Sequence, residues 1–281
     1  MIFHRLTLFA PLLGALLASA VAADSQVPTA SGPSYADLAD LAIPAPIAAH
    51  VRVAKASALK AEAAPGLRPG YARMLVDAQV LSLIRAPGGL ATRISYVVDL
   101  PRDAKGRAPK IKKGTEFLIL AAPVAGRPGE VQLAAPDAQV AFAPARAETL
   151  RAILREATGQ NPAPRISGIG RAFHVPGAIR GESETQIFLL TADNRPVSLN
   201  VLRRPGETPL WSVALSEIVD DAAEPPARDT LLWYRLACTL PRALPPQSLA
   251  EADAQGRAAI QADYRLVLDR LGPCTRTRER R

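Results

Sequence analysis

Hydrophobic and polar positions alternate at period two through much of this chain, and the alternation predicts a β-rich protein. Residues 92–100 are the clearest case. Ile94, Tyr96, Val98 and Leu100 share one face, and Arg93, Ser95 and Asp99 take the other. The preceding segment, 71–85, is apolar on both faces: Val76, Ala78, Val80 and Ile84 on one, Leu75, Leu81 and Leu83 on the other. That pattern is expected of a strand covered from both sides. Pro87-Gly-Gly89 turns the chain between the two, so 71–100 reads as a hairpin. Residues 50–59 fit either a strand or an alanine-rich helix, and the order Val51, Arg52, Val53 favours the strand. Further strands are expected at 116–122 and, more weakly, at 130–134 and 138–142. Short strands separated by Pro- and Gly-rich turns suggest a small antiparallel barrel or sandwich, with an OB-like barrel among the alternatives.

The period then changes. Over 146–158, Leu150, Ile153, Leu154 and Ala157 form a helical stripe, with Gly159 as the stop. Period two returns at 166–175, 184–191, 197–203 and 210–216, which reads as a β-meander. Two helices close the chain. The first, 228–240, carries Leu231, Leu232, Leu236 and Leu240. The second, 248–271, carries Ile260, Tyr264, Val267, Leu268 and Leu271, and Gly272-Pro273 ends it. Ser248 and Glu251 have the spacing of a capping box for that helix. The fold class expected is β-rich α+β with a C-terminal helical pair. The expected divisions are an antiparallel β region over 50–145, a helix plus meander over 146–226, and the helical pair over 227–274.

The start of the chain sets its address. His4-Arg5 precedes an uncharged apolar run over 6–21, which closes on Ala20-Val-Ala22. These are the three regions of a secretory signal peptide spanning 1–22, with cleavage between Ala22 and Ala23. A spanning helix needs roughly 20 apolar residues, and this run is shorter and interrupted by Pro11 and Gly14. No cysteine stands near the cleavage site to carry a lipid. The mature chain is expected to be periplasmic or secreted, with no transmembrane span after signal removal. Residues 23–49, rich in Ala and Pro, read as a flexible lead-in; Ser34-Tyr-Ala-Asp37 offers at most a short helical turn before Pro44 and Pro46.

That address changes how the two cysteines are read. Cys238 and Cys274 are the only pair, and in an oxidising compartment they are expected to form a disulfide. The expected helices pose a difficulty, because a tight turn over 241–247 would send the second helix, and Cys274 with it, away from Cys238. Redox pairs usually have C-x-x-C spacing, which this pair lacks.

Net charge is +8, and arginine outnumbers lysine, with only six lysines in the chain. Abundant alanine, proline and arginine together are the mark of GC-rich coding. The functional alternative is an arginine surface for anionic partners. One stretch concentrates the charge: Arg102, Lys105, Arg107, Lys110, Lys112 and Lys113 face a single acid, Asp103. This loop is the candidate anion-binding element. It lacks the interleaved aromatics that stack bases or sugars, and no nucleic-acid partner is expected. The tail 275–281 carries four arginines and reads as a disordered basic extension.

Catalytic patterns are weak. Ser57-Ala-Leu-Lys60 fits the S-x-x-K of acylating serine enzymes, and Ser198-Leu-Asn200 fits S-x-N, but the K-T-G element is missing and Lys113-Gly-Thr115 has the wrong order. His50 and His174 stand apart without ligand-like neighbours, so no metal site is expected. A lone histidine in a strand, such as His174, reads as structural. Gly168-Ile-Gly170 lacks the third glycine of a dinucleotide loop and reads as easing a bent strand. Acids cluster at Glu182/Glu184 and Asp220/Asp221, and paired carboxylates can do the acid–base work of glycan hydrolysis, but solvated acids are the default. No catalytic residue and no cofactor is assigned.

Four phrases resemble a family of exported proteins of GC-rich proteobacteria to which no activity is assigned. They are Tyr96-Val-Val-Asp-Leu-Pro101, Phe173-His-Val-Pro-Gly177, Gly181-Glu-Ser-Glu-Thr-Gln-Ile-Phe-Leu189 and Leu202-Arg-Arg-Pro-Gly206. The resemblance implies a periplasmic address and nothing more. The expectation is therefore a non-catalytic binding or accessory protein of the cell envelope, meeting an anionic envelope component or another envelope protein. The alternatives are an envelope hydrolase built on Glu182 and Glu184, or a structural subunit of an envelope complex.

Overall fold

The computed structural model describes residues 32–216 and 223–278. The expected signal peptide with its Ala22–Ala23 junction, the acids Asp220 and Asp221, and residues 279–281 lie outside the described residues. Among the described residues ten strands form two open antiparallel sheets, and the architecture is β-rich and sandwich-like, without a closed barrel.

The first sheet has the order β3-β2-β1-β4-β5, with β6 also paired to β4. Its strands are β1 (Ile47–Ala58), β2 (Tyr71–Arg85), β3 (Arg93–Pro101), β4 (Glu116–Pro123), β5 (Val131–Leu133) and β6 (Gln139–Ala141). Alternation on β2 sends Ala72, Met74, Val76 and Ala78 into the core. The opposite face is not sealed as expected: Leu83 is exposed and Leu75 half-buried, so that side of β2 is only partly covered by the described residues. The sheet curls, and the edge of β3 meets the β4–β5 side through Ser95 N–H on the Gly129 carbonyl and Asp99 N–H on the Pro136 carbonyl. These are separate bonds and do not amount to a continuous ladder.

The second sheet is the meander β10-β9-β8-β7. It comprises β7 (Ile166–Pro176), β8 (Ser183–Thr191), β9 (Val197–Arg203) and β10 (Leu210–Ala214). The β7–β8 register shifts at 166–168 and again at 169–172. Gly168 and Gly170 sit at those shifts beneath the Leu190 side chain, and a Cβ at Gly168 would approach Leu190 Cδ1 to 3.4 Å.

Helices join and cover the sheets. The chain from 34 onward is not a flexible lead-in. Ser34 caps α1 (Tyr35–Ala42) in a complete capping box with Asp37, and every residue of the helix except Asp40 is buried. Alanines 36, 39 and 42 let this short helix seat closely on its neighbours, a burial that hydrophobic patterning by bulky residues does not reveal. α2 (Pro144–Thr158) buries Ala147, Leu150, Ile153 and Leu154. The last two helices are α3 (Leu231–Ala237) and α4 (Ala254–Leu271). The capping box expected at Ser248 and Glu251 does not form. Pro246 draws Ser248 into a 3₁₀ turn, Pro246–Leu249, and Asp253 caps α4 instead by accepting from Gly256 N–H at 2.7 Å.

That later start resolves the cysteine difficulty. The connection between α3 and α4 is long, so α4 runs back toward α3 and not away from it. Tyr264 Oη donates to the Pro241 carbonyl at 2.6 Å, and Trp233 Nε1 donates to the Leu271 carbonyl at 2.8 Å. Cys238 and Cys274 end with Cα atoms 5.1 Å apart and are joined as a disulfide.

Residues 275–278 form a docked strap, where the sequence predicts disorder. Arg276 Nε donates to Asp40 Oδ2 at 2.6 Å, Thr277 donates through N–H and Oγ1 to Asp37 Oδ2, and Arg278 Nη2 reaches Asp137 Oδ1 at 2.7 Å. Opposed charge drives this docking of the basic segment. Burial raises the Asp37 pKa, but hydrogen bonds from Thr277 and Ser34 outweigh it and hold the carboxyl below its ordinary value. A carboxyl depressed on folding stabilises the fold above its unfolded pKa of about 3.9 and loses that contribution as pH falls through the folded value. Stability measured by urea denaturation should therefore fall on acidification below about pH 4, and Asp37→Asn should flatten that part of the curve.

Candidate functional site

The basic loop between β3 and β4 is ordered from within. Arg102 N–H bonds the Gly70 carbonyl, and Gly114 N–H bonds the Val53 carbonyl, each at 2.8 Å. Asp103 accepts from the backbone N–H groups of Lys105 and Arg107, and from Arg107 Nε at 2.7 Å. The bonds from Arg107 come first among the reasons its carboxyl lies below the usual range. Arg102 is also spent locally, donating to the carbonyls of Tyr71 and Gly106. Ala108 and Ile111 pack inward against the core.

The loop therefore sorts its six basic residues into two kinds. Arg102 and Arg107 hold the loop's shape. Lys105, Lys110, Lys112 and Lys113 are exposed and make no ion pair among the described residues. Exposed Lys55 stands two residues along β1 from the Val53 junction and belongs to the same region. The single acid of the loop neutralises an arginine and none of the lysines.

A second arrangement lies on the other sheet. His174 on β7 and Thr185 on β8 are paired across the ladder. Their side chains meet at 2.9 Å between Nδ1 and Oγ1. Thr185 Oγ1 donates to Asp263 Oδ2 at 2.5 Å, and Arg203 Nε donates to Asp263 Oδ1 at 2.7 Å. Thr185 and Asp263 are fully buried. A hydroxyl has one proton, and Thr185 gives it to the carboxylate. It must then accept from His174, which fixes that imidazole with its proton on Nδ1. In the neutral imidazole Nε2 is then left with a free lone pair. His174 also lines a cleft of about 360 Å³ with Pro176, Glu251, Asp253 and Gln255, between β7 and the start of α4. A histidine held in this way can take up a proton from a bound group.

The sequence places Asp263 on the apolar stripe of α4, between Ile260 and Tyr264, and a carboxylate on a core-facing stripe is itself a sign of a buried partner. His174 and Thr185 flank the turn at Gly177 and Gly181. Those two signals mark Asp263 and the His174–Thr185 pair separately, and the fold joins them.

Other candidates are scattered. Glu182 and Glu184 do not line the cleft beside His174; Glu182 lies against Gly177 at the hairpin tip, and Glu184 is exposed. His50 bonds Glu116 at 2.9 Å and stacks on Phe142, with ring centroids 3.8 Å apart. The Glu116 carboxyl is held below its usual range by the Arg52 hydrogen bond and then by His50. Ser57 and Lys60 are both exposed and Ser57 is on β1, so the helical placement that S-x-x-K requires is absent. Among the described residues, no three His, Cys, Asp or Glu side chains are grouped to hold a metal ion. No helix among them is long and apolar enough to cross a membrane. No protein-family model matches the chain, and no curated protein matches it.

Thr185→Val is expected to release the His174 tautomer. Nitrogen chemical shifts of the imidazole should show Nδ1 protonated and Nε2 bare in the native protein, and a mixture in the variant. A native imidazole protonated on Nε2 would refute the relay.

Proposed function

We propose that this chain is an exported binding or accessory protein of the cell envelope that holds an anionic envelope component through the β3–β4 loop. One observation carries the reading. Lys105, Lys110, Lys112 and Lys113 are displayed on an ordered loop whose only acid is already engaged by Arg107. A loop ordered in this way loses little backbone freedom on binding a polyanion, and each exposed ammonium group adds salt-sensitive attraction. The signal-like pattern over 1–22 and the phrases that resemble those of exported proteins of proteobacteria favour the envelope as the place where that partner is met. The partners chemically suited are phosphorylated or carboxylated envelope polymers, such as lipopolysaccharide.

Exchanging Lys110, Lys112 and Lys113 for glutamine should weaken retention on immobilised lipopolysaccharide and flatten its salt dependence. Unchanged retention would reject the loop as the contact surface.

A second reading, envelope hydrolysis, draws support from the His174 relay more than from Glu182 and Glu184. It requires a hydrolytic activity that His174→Gln abolishes while leaving the fold intact. An activity that survives that change would remove this reading.

A further inference from the structure

The Cys238–Cys274 disulfide borders an open cleft of about 490 Å³ that Arg242, Arg265 and Arg276 also line. Its two sulfurs are not equivalent. Arg276 turns Nε and Nη2 toward Asp40, and its remaining Nη1 donates to Cys274 Sγ at 3.1 Å. Among the described residues, none donates in this way to Cys238 Sγ. Cys238 is the C-cap of α3, the end of a helix at which the aligned backbone dipoles disfavour negative charge. In thiol–disulfide exchange the sulfur that leaves carries the developing negative charge, and a stabilised thiolate leaves faster. The arginines around the cleft also favour an approaching thiolate.

We propose that Cys238–Cys274 is a thiol-exchange site for a dithiol reductant, attacked at Cys238 Sγ, with Cys274 leaving as a thiolate held by Arg276. The incoming thiolate forms a mixed disulfide with Cys238 as the Cys238–Cys274 bond breaks. The reductant's second thiolate then attacks its own sulfur in the mixed disulfide. Cys238 is released as a thiolate and takes a proton from water, and the reductant leaves as a cyclic or intramolecular disulfide. Two electrons pass from the dithiol to the protein. The consequence is mechanical. Cys274 is the covalent anchor of the strap whose Arg276, Thr277 and Arg278 hold Asp40, Asp37 and Asp137, so exchange frees that strap from α1.

The test uses glutathione, a monothiol that stops at the mixed disulfide, on the folded full chain. Brief exposure is followed by acid quenching, alkylation of the free thiol and peptide mass mapping. Glutathione should be found on Cys238 at least about fivefold more often than on Cys274. Arg276→Gln should bring the two sites near equality. Asp40→Asn loosens the strap but leaves the contact to sulfur, and it should keep the preference for Cys238. After full reduction with dithiothreitol, trypsin should cut after Arg276, a site protected in the oxidised protein. Equal labelling in the native chain, labelling mainly on Cys274, a preference that survives Arg276→Gln or is lost in Asp40→Asn, or a bond that reacts only after denaturation would each overturn the proposal. So would a strap that stays protected after reduction.

Discussion

Carboxylates on α1 impose the strongest constraint on this fold. Asp37 is buried and Asp40 is partly so, and a buried carboxylate needs donors close by. The donors come from the far end of the chain: Thr277 for Asp37, Arg276 for Asp40. Tyr234 Oη joins them, donating to Asp40 Oδ1 at 2.6 Å, and burial first, then this bond, pushes its phenol up to about 12. The helix at the start of the described chain is therefore finished by the strap at its end. The disulfide one residue before Thr275 limits how far that strap can stray. Closing a loop of this length in the unfolded chain stabilises by about 4 kcal/mol in the chain-entropy picture.

The same logic separates the arginines from the lysines. Several arginines are built into the fold as ion pairs: Arg73 with Asp99, Arg203 with Asp263, Arg276 with Asp40 and Arg278 with Asp137. The planar guanidinium suits such half-buried pairing, because it can serve a carboxylate through two nitrogens at once. The four loop lysines have no such duty. A composition rich in arginine therefore overstates the charge available to a partner, and the scarce lysines carry more of it than their number suggests.

What the sequence made legible follows from which interactions are local. β2 at Tyr71–Arg85 and β9 at Val197–Arg203 coincide with their alternating segments, and Leu150, Ile153 and Leu154 do bury as one stripe. These depend on neighbours two to four residues away. α1 was hidden because three of its seven buried residues are alanine and a fourth is the carboxylate Asp37, and the cap of α4 because Pro246 draws the expected Ser248 into a 3₁₀ turn. The candidate sites divide in the same way. The basic loop is contiguous and could be read directly, although the split between structural arginines and free lysines needed the fold. The His174–Thr185–Asp263–Arg203 relay joins three strands to a helix, and only a hydrogen-bond network in space reveals it.

If the strap completes α1, the stability of that helix must depend on the covalent anchor at Cys274. Amide hydrogen exchange compares the two states directly. Residues 38–43 should be well protected in the oxidised protein and exchange markedly faster once Cys238 and Cys274 are reduced, while the β1–β2 ladder changes little. Protection at 38–43 that is the same in both states would contradict the account.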